Sequence, residues 1–220
     1  MKQKICTYLI LFNMIISFTC NLNAQNQIGI VGIVNFGNLR ADGVSFNKKE
    51  GFGIGGILDI GLTKILKLRL EPMFLQKRAA DVVTSHANIG ILKATFQGDY
   101  FEFPLFLKVD LLQNPKPYLL LGASFGLNLR AKLNFNQANF TAETEIDAIT
   151  KIFDFSIGAG GGLELPTAFG ALLLEGHYFL GLANIADKAP ENLFTKLPEI
   201  GEKVKTRGLH LLTGFIFELD

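Results

Sequence analysis

Glu50-Gly-Phe-Gly-Ile-Gly-Gly-Ile-Leu-Asp-Ile-Gly-Leu62 alternates between two kinds of side chain. Phe52, Ile54, Leu58, Ile60 and Leu62 share one parity; Gly51, Gly53, Gly55, Asp59 and Gly61 share the other. Successive side chains of a strand point to opposite faces, so this segment has one apolar face and one small or polar face. A helix would need apolar residues recurring every 3.6 positions, and that period is missing.

The pattern recurs on both sides of this stretch. Upstream, Gln27–Gly37 places Ile28, Ile30, Val34 and Phe36 on one parity. Downstream, Ile65–Lys77 alternates Leu66, Leu68, Leu70 and Phe74 with Lys67, Arg69, Glu71 and Lys77. Leu92–Leu111 sets Phe101, Phe103, Leu105, Leu107 and Val109 against Glu102, Pro104, Phe106, Lys108 and Asp110, with Gly98 as the expected site of a break or bulge. Pro117–Lys132 opposes Leu119, Leu121, Phe125, Leu127 and Leu129 to Gly122, Ser124, Gly126, Asn128 and Arg130. Lys151–Leu165 opposes Phe153, Phe155, Ile157 and Leu163 to Asp154, Ser156, Gly158, Gly160, Gly162 and Glu164. In Gly170–Leu182, Leu172, Leu174, Tyr178 and Leu180 face away from Glu175 and His177. In Arg207–Leu219, Leu209, Leu211, Phe215 and Phe217 oppose His210, Gly214 and Glu218. Eight strands are predicted.

Their connections alternate too. Asn38–Lys49, Arg78–Asn88, Leu133–Thr150 and Ala183–Thr206 are long and polar, whereas Thr63-Lys64, Gln113-Asn114-Pro115-Lys116 and Pro166–Phe169 are tight. Outer-membrane barrels have short periplasmic turns and long external loops. The expectation is therefore an all-β, eight-stranded, antiparallel up-and-down transmembrane barrel over residues 25–220.

Residues 1–24 have the form of an export signal. Lys2 and Lys4 give a basic start, Ile5 to Phe18 a mostly apolar run, and Asn21-Leu22-Asn23-Ala24 a cleavage region before Gln25. Both cysteines, Cys6 and Cys20, fall inside it, so the processed chain has no disulfide, thiol nucleophile or cysteine metal site. Cys20 as a lipidated residue is disfavoured by Ser17-Phe18-Thr19 before it. Without Lys2 and Lys4, the 21 basic residues become 19, against 20 acidic ones. That balance argues against nucleic acid as a partner. Hydrophobic content of 49% and a mean hydropathy of +0.30 accompany no long apolar helix after the signal. In lipid, only helices and closed barrels satisfy every backbone hydrogen bond.

Alternation alone does not say which face points inward. A soluble lipocalin-like barrel binding a lipid-like ligand would bury the apolar parity. Three features favour the inverse. The polar parity is rich in Gly, which suits a crowded interior. Its charges come in both signs (Asp59, Lys67, Arg69, Glu71, Glu102, Lys108, Glu164, Glu175) and can pair across a lumen. Aromatics gather toward strand ends, with Phe36, Phe52, Phe74, Phe101 and Phe155 near the loops and Phe217 near the turns, as in interfacial girdles.

With that polarity Arg69, Glu71, Glu102, Lys108, Glu175 and His177 form a candidate polar network in the lumen. Eight strands enclose an interior just filled by side chains, so a salt-bridged plug is expected, with a small passive pore as the alternative. His86, His177 and His210 lack metal-ligand spacing and make no Ser/His/acid set. Neither an enzyme, a cofactor nor a metal is expected. Gly158-Ala-Gly-Gly-Gly162 lacks the Lys-Ser/Thr of a phosphate loop, and its glycines are expected to make room for bulky lumen neighbours. The last loop carries Leu193, Phe194, Leu197, Ile200 and Val204 among charges; it is expected to be a solvated surface loop, with partner docking as the alternative.

Asp99-Tyr-Phe-Glu-Phe-Pro-Leu-Phe-Leu-Lys108 and Lys116-Pro-Tyr-Leu-Leu-Leu-Gly-Ala-Ser-Phe-Gly126 resemble paired strands of the PorT-like, porin-family outer-membrane β-barrel proteins of Bacteroidetes-type bacteria. Leu70-Glu71-Pro72 and Tyr178-Phe-Leu-Gly-Leu-Ala-Asn-Ile185 are similar to further segments of that family. Many such chains end in an aromatic residue, whereas this one ends Phe217-Glu218-Leu219-Asp220. The resemblance implies an integral outer-membrane protein, in a family whose founding members are linked to protein secretion and surface motility. The partners implied are outer-membrane lipid, the barrel-assembly machinery, and envelope or secretion components met through the external loops.

Overall fold

The computed structural model describes residues 26–41, 44–45, 49–86, 90–112, 115–137, 140–145, 152–184 and 204–219. The export signal and most of the last loop lie outside them. Alternating segments pair with their chain neighbours wherever a connection is too short to do anything else, and that local rule builds most of the sheet. The strands are β1 (Asn26–Ala41), β2 (Val44–Ser45), β3 (Lys49–Gly61), β4 (Leu66–Leu70), β5 (Met73–His86), β6 (Gly90–Asp110), β7 (Lys116–Gln137), β8 (Phe140–Glu145), β9 (Phe153–Thr167), β10 (Gly170–Gly181) and β11 (Val204–Leu219). β4 and β5 make one stave interrupted at Glu71-Pro72. β2 and β8 are short additions folded back on β1 and β7.

Eight antiparallel staves remain. β1 pairs with both β3 and β11, and the β1–β11 ladder runs without interruption from Asn26↔Leu219 to Ala41↔Val204. That pairing of the first and last strands closes the sheet into a barrel and removes its edges.

The apolar parity faces out. Phe52 is 61% exposed and Leu121 68%, and Ile54, Leu119, Phe125 and Leu174 also lie on the outer surface. A lipocalin-like barrel would hold these residues inside. Toward the loop end, Phe103, Phe125 and Phe155 are directly opposite one another on β6, β7 and β9. The Phe125 and Phe155 rings are 5.0 Å apart, and Phe101 meets Phe103 edge-on at 4.6 Å. At the turn end Phe215 and Phe217 pair at 5.5 Å.

Four details differ from the sequence expectation. Arg78–Asn88 and Leu133–Thr150 are not simply loops: β5 and β6 stay paired up to His86↔Gly90, and β7 runs to Gln137 before β8 folds back on it. The polar residues there had hidden the strands, because a ladder needs backbone groups rather than an apolar face once the chain leaves the barrel. β6 runs unbroken through Gly98; the irregularities lie on its partners, at Ala80 of β5 and Leu129 of β7. The Leu129 bulge inverts the phase of β7 beyond it. Asn128 still pairs with Tyr100, but Arg130 pairs with Asp99 and is exposed, not in the lumen. Finally, the third strand breaks at Pro72, which has no N–H to give to a ladder. Its carbonyl accepts from Gly56 at 2.9 Å, and the Glu71 N–H donates to the Pro104 carbonyl at 3.0 Å.

The β9–β10 turn is two residues, Ala168 and Phe169, and Gly170 follows it with φ of 146°. No side chain is comfortable there.

Candidate functional site

Inward positions of seven staves bring their polar side chains to one layer of the lumen. Asp59 on β3 and Arg69 on β4 are register partners. Arg69 Nε donates to Asp59 Oδ1 at 2.6 Å and Nη2 to Oδ2 at 2.7 Å, a two-pronged pairing that a guanidinium makes and an ammonium does not. Its third nitrogen, Nη1, donates to Glu175 of β10 and to the Tyr118 hydroxyl of β7 at 3.2 Å. Glu164 of β9 stands 3.5 Å from Nη2. Arg69 is fully buried, so one guanidinium ties five staves across the barrel.

Lys108 of β6 reinforces the tie. Its Nζ donates to Asp59 Oδ2 at 2.8 Å and to Glu164, and lies 4.4 Å from the centre of the Tyr118 ring. Arg69 lies over the same ring at 4.9 Å. The Tyr118 hydroxyl donates in turn to Glu175. Nearer the turns, Lys67 bonds Gln27 of β1 at 2.7 Å and pairs with Asp110 at 3.5 Å. A charge removed from water is tolerated where it is paired and hydrogen-bonded, and Asp59, Arg69 and Lys108 meet that condition.

Glu71 and His177 are less well served. Glu71 Oε1 is 3.7 Å from Arg69, and Glu71 Oε2 is 3.7 Å from His177 Nδ1. His177 Nε2 is 2.6 Å from Glu175 Oε1 without the alignment of a hydrogen bond. One ligand atom from each of Glu71, Glu175 and His177 falls within 4.8 Å of the others, all three residues buried. Toward the loops, Phe106, His177, Phe179 and His210 pack in sequence with tilted and edge-on rings, at centroid separations of 4.8, 5.8 and 4.9 Å.

Of the six residues singled out from sequence, the structure brings Arg69, Glu71, Lys108, Glu175 and His177 into this one layer. Glu102 is also buried in the lumen but sits nearer the loops, opposite Met73 and beside Gly126. Asp59 and Glu164 belong with the five, as does Tyr118. Tyr118 shares the inward parity of Gly122, Ser124 and Gly126, so continuing the alternation back to the first turn of the strand would have found it.

The glycines of Gly158–Gly162 have a packing role here. A Cβ at Gly158 would lie 2.6 Å from the Phe179 ring, one at Gly160 would lie 2.7 Å from His177 Cδ2, and one at Gly162 would run into the Tyr118 ring. Three small residues on β9 make the space that three large lumen side chains occupy.

The profile described as "Outer membrane protein beta-barrel domain" matches residues 23–187, three quarters of the sequence. The chain belongs to that family. Its match carries β1 through β10, and the closing strand β11 completes the outer-membrane barrel in the structure. Solved structures similar to it include the attachment invasion locus protein Ail of Yersinia pestis, at 15% identity and a TM-score of 0.47, covering 88% of this chain and 99% of that one. Neisserial surface protein A is similar at 13% identity and a TM-score of 0.48, covering 87% and 97%. The outer membrane protein OprG from Pseudomonas aeruginosa is similar at 13% identity and a TM-score of 0.47, covering 89% and 96%. No curated protein matches the chain.

Proposed function

We propose that this outer-membrane barrel is a closed structural stave-work whose activity lies at its external end, in surface interaction or as an accessory to envelope or secretion machinery. The PorT-like resemblance of Asp99–Lys108 and Lys116–Gly126 favours the secretion-associated form of that role. The chain is made as a precursor exported by residues 1–24, and this role calls for no catalytic group.

The observation that carries the closed lumen is the Arg69 guanidinium, bound at once to Asp59, Tyr118 and Glu175 with Glu164 alongside. A conducting path would have to pass a layer in which every cationic nitrogen already holds a carboxylate from another stave. Breaking it exposes several unpaired charges together, which is costly in a low-dielectric interior. The outward face of the described staves is apolar and suits lipid, so specific recognition falls to the loop-end extensions of β5, β6, β7 and β8 beyond the barrel.

Single-channel recording in planar bilayers tests this reading. Purified protein is expected to give no stable open level, while Arg69→Ala gives brief openings. Regular, long-lived steps from the unaltered protein would establish the passive pore instead.

A further inference from the structure

We propose that the lumen holds one divalent first-row metal ion, zinc being the reference case, on Glu71, Glu175 and His177. The proposal goes beyond the structural role above and does not depend on whether the barrel conducts. Glu175 and His177 are two apart on β10 and so point the same way; Glu71 faces them from the Pro72 break in the opposite stave. Glu71 keeps its ladder bond to the Pro104 carbonyl and shares the inward parity of Lys67, Arg69 and Met73, which directs its carboxylate at the pair.

Three observations point to a cation here. The first is geometric: one nitrogen and two carboxylate oxygens lie within 4.8 Å of one another, a donor set suited to zinc, which draws such ligands to about 2.0–2.2 Å. Small rotations of three side chains would close that gap. The second is that these atoms meet one another and Arg69 only as ion-pair contacts, without an aligned hydrogen bond. Both Glu71 oxygens, Glu175 Oε1 and both His177 nitrogens are buried without a hydrogen bond to any described residue. Arg69 reaches Glu71 Oε1 only as an ion pair at 3.7 Å, because its hydrogen bonds go to Asp59, Glu164, Tyr118 and the other oxygen of Glu175. Buried polar atoms are almost always satisfied, so a group of them converging on one point needs a ligand.

The third is charge. Asp59, Glu71, Asp110, Glu164 and Glu175 face Lys67, Arg69 and Lys108 in this layer, which leaves two negative charges in excess with every carboxyl ionised and His177 neutral. One divalent ion cancels them. The imidazole binds through one nitrogen and leaves the other for a neighbouring carboxylate, the usual arrangement around such an ion. The ion would clamp the third stave to β10 across the lumen, in a place reached during folding rather than from the finished surface.

The test uses full-length protein refolded into detergent micelles with Zn²⁺ or Co²⁺, then dialysed against chelator. Expected are about one Zn²⁺ per chain by elemental analysis and a visible Co²⁺ absorption. Both should fall at least about tenfold in Glu71→Gln and in His177→Gln, as loss of a ligand requires. His210→Gln, a buried lumen histidine outside the trio, should keep both. Zn²⁺ should also raise the urea midpoint of the unaltered protein but not that of His177→Gln. Should Glu71→Gln fail to fold, His177→Gln and the unaltered protein decide. An unaltered protein that retains less than about a tenth of an equivalent, or an equal Co²⁺ spectrum from His177→Gln, overturns the proposal and leaves protons as the source of charge balance.

Discussion

Arg69 and Asp59 meet fork to fork on adjacent staves, with both oxygens of one carboxylate bound to two nitrogens of one guanidinium at 2.6 and 2.7 Å. The pair is local, because the two residues face each other across the β3–β4 ladder. What it supports is not local. Through the remaining Arg69 nitrogen it reaches β7 and β10 on the other side of the lumen.

Arg69→Met should therefore destabilise the barrel by about 3–5 kcal/mol, the usual cost of leaving buried partners uncompensated. Arg69→Lys restores the charge but not the fork and should recover less than half of that loss. Urea unfolding followed by the heat-modifiable gel mobility of the folded barrel measures both.

Tyr118 contributes a ring against two cations and a hydroxyl to Glu175. Tyr118→Phe keeps the ring and leaves a buried carboxylate oxygen one donor short, so a loss of about 1–3 kcal/mol is expected. Tyr118→Ala should lose more, since the ring over Lys108 and Arg69 goes too. Equal losses would mean that the ring contributes nothing.

Glycines on the two faces should respond oppositely. Gly158→Ala puts a methyl against the Phe179 ring and should cost about 1–3 kcal/mol by overpacking. At Gly32, on the outer face, the nearest atom to a new methyl is 3.9 Å away. Gly32→Ala should be neutral or stabilise by up to about 1 kcal/mol through lost backbone freedom in the unfolded chain. The same unfolding curves compare them.

Leu121→Arg puts a charge on the middle of the outer face and should cost about 2–4 kcal/mol in a bilayer. Folding yield into lipid vesicles is the readout. In a soluble barrel the same change, at a residue 68% exposed, would be harmless.

Strand number, stave order and the outward face were legible because a period of two is hard to mimic and because four long connections alternate with three tight ones. What escaped has a physical reason in each case. Arg130 was placed inside because a bulge at Leu129 shifts the phase by one, and nothing about Leu129 as a residue marks a bulge. The β5–β6 and β7–β8 extensions were missed because they leave the apolar band, where alternation no longer reports on pairing. The charged layer was partly visible: parity identified inward charges, but which of them meet depends on stagger between staves. Thus Glu102 falls outside the Arg69 layer while Tyr118, at the very start of β7, falls within it. The His177–Glu71 approach depends on how two opposite staves are staggered across the lumen, which no spacing along the chain expresses.

Site-directed spin labelling along β7 tests the account most directly. The only cysteines, Cys6 and Cys20, precede the barrel, so single cysteines can be placed from 118 to 126 after replacing them. In vesicles, labels at 119, 121 and 125 should be relaxed strongly by oxygen dissolved in lipid and little by a water-soluble nickel chelate, while labels at 118, 120 and 124 should be immobile and shielded from both. Relaxation of the odd positions by the nickel chelate would contradict the outward assignment, because the apolar parity would then face water rather than lipid.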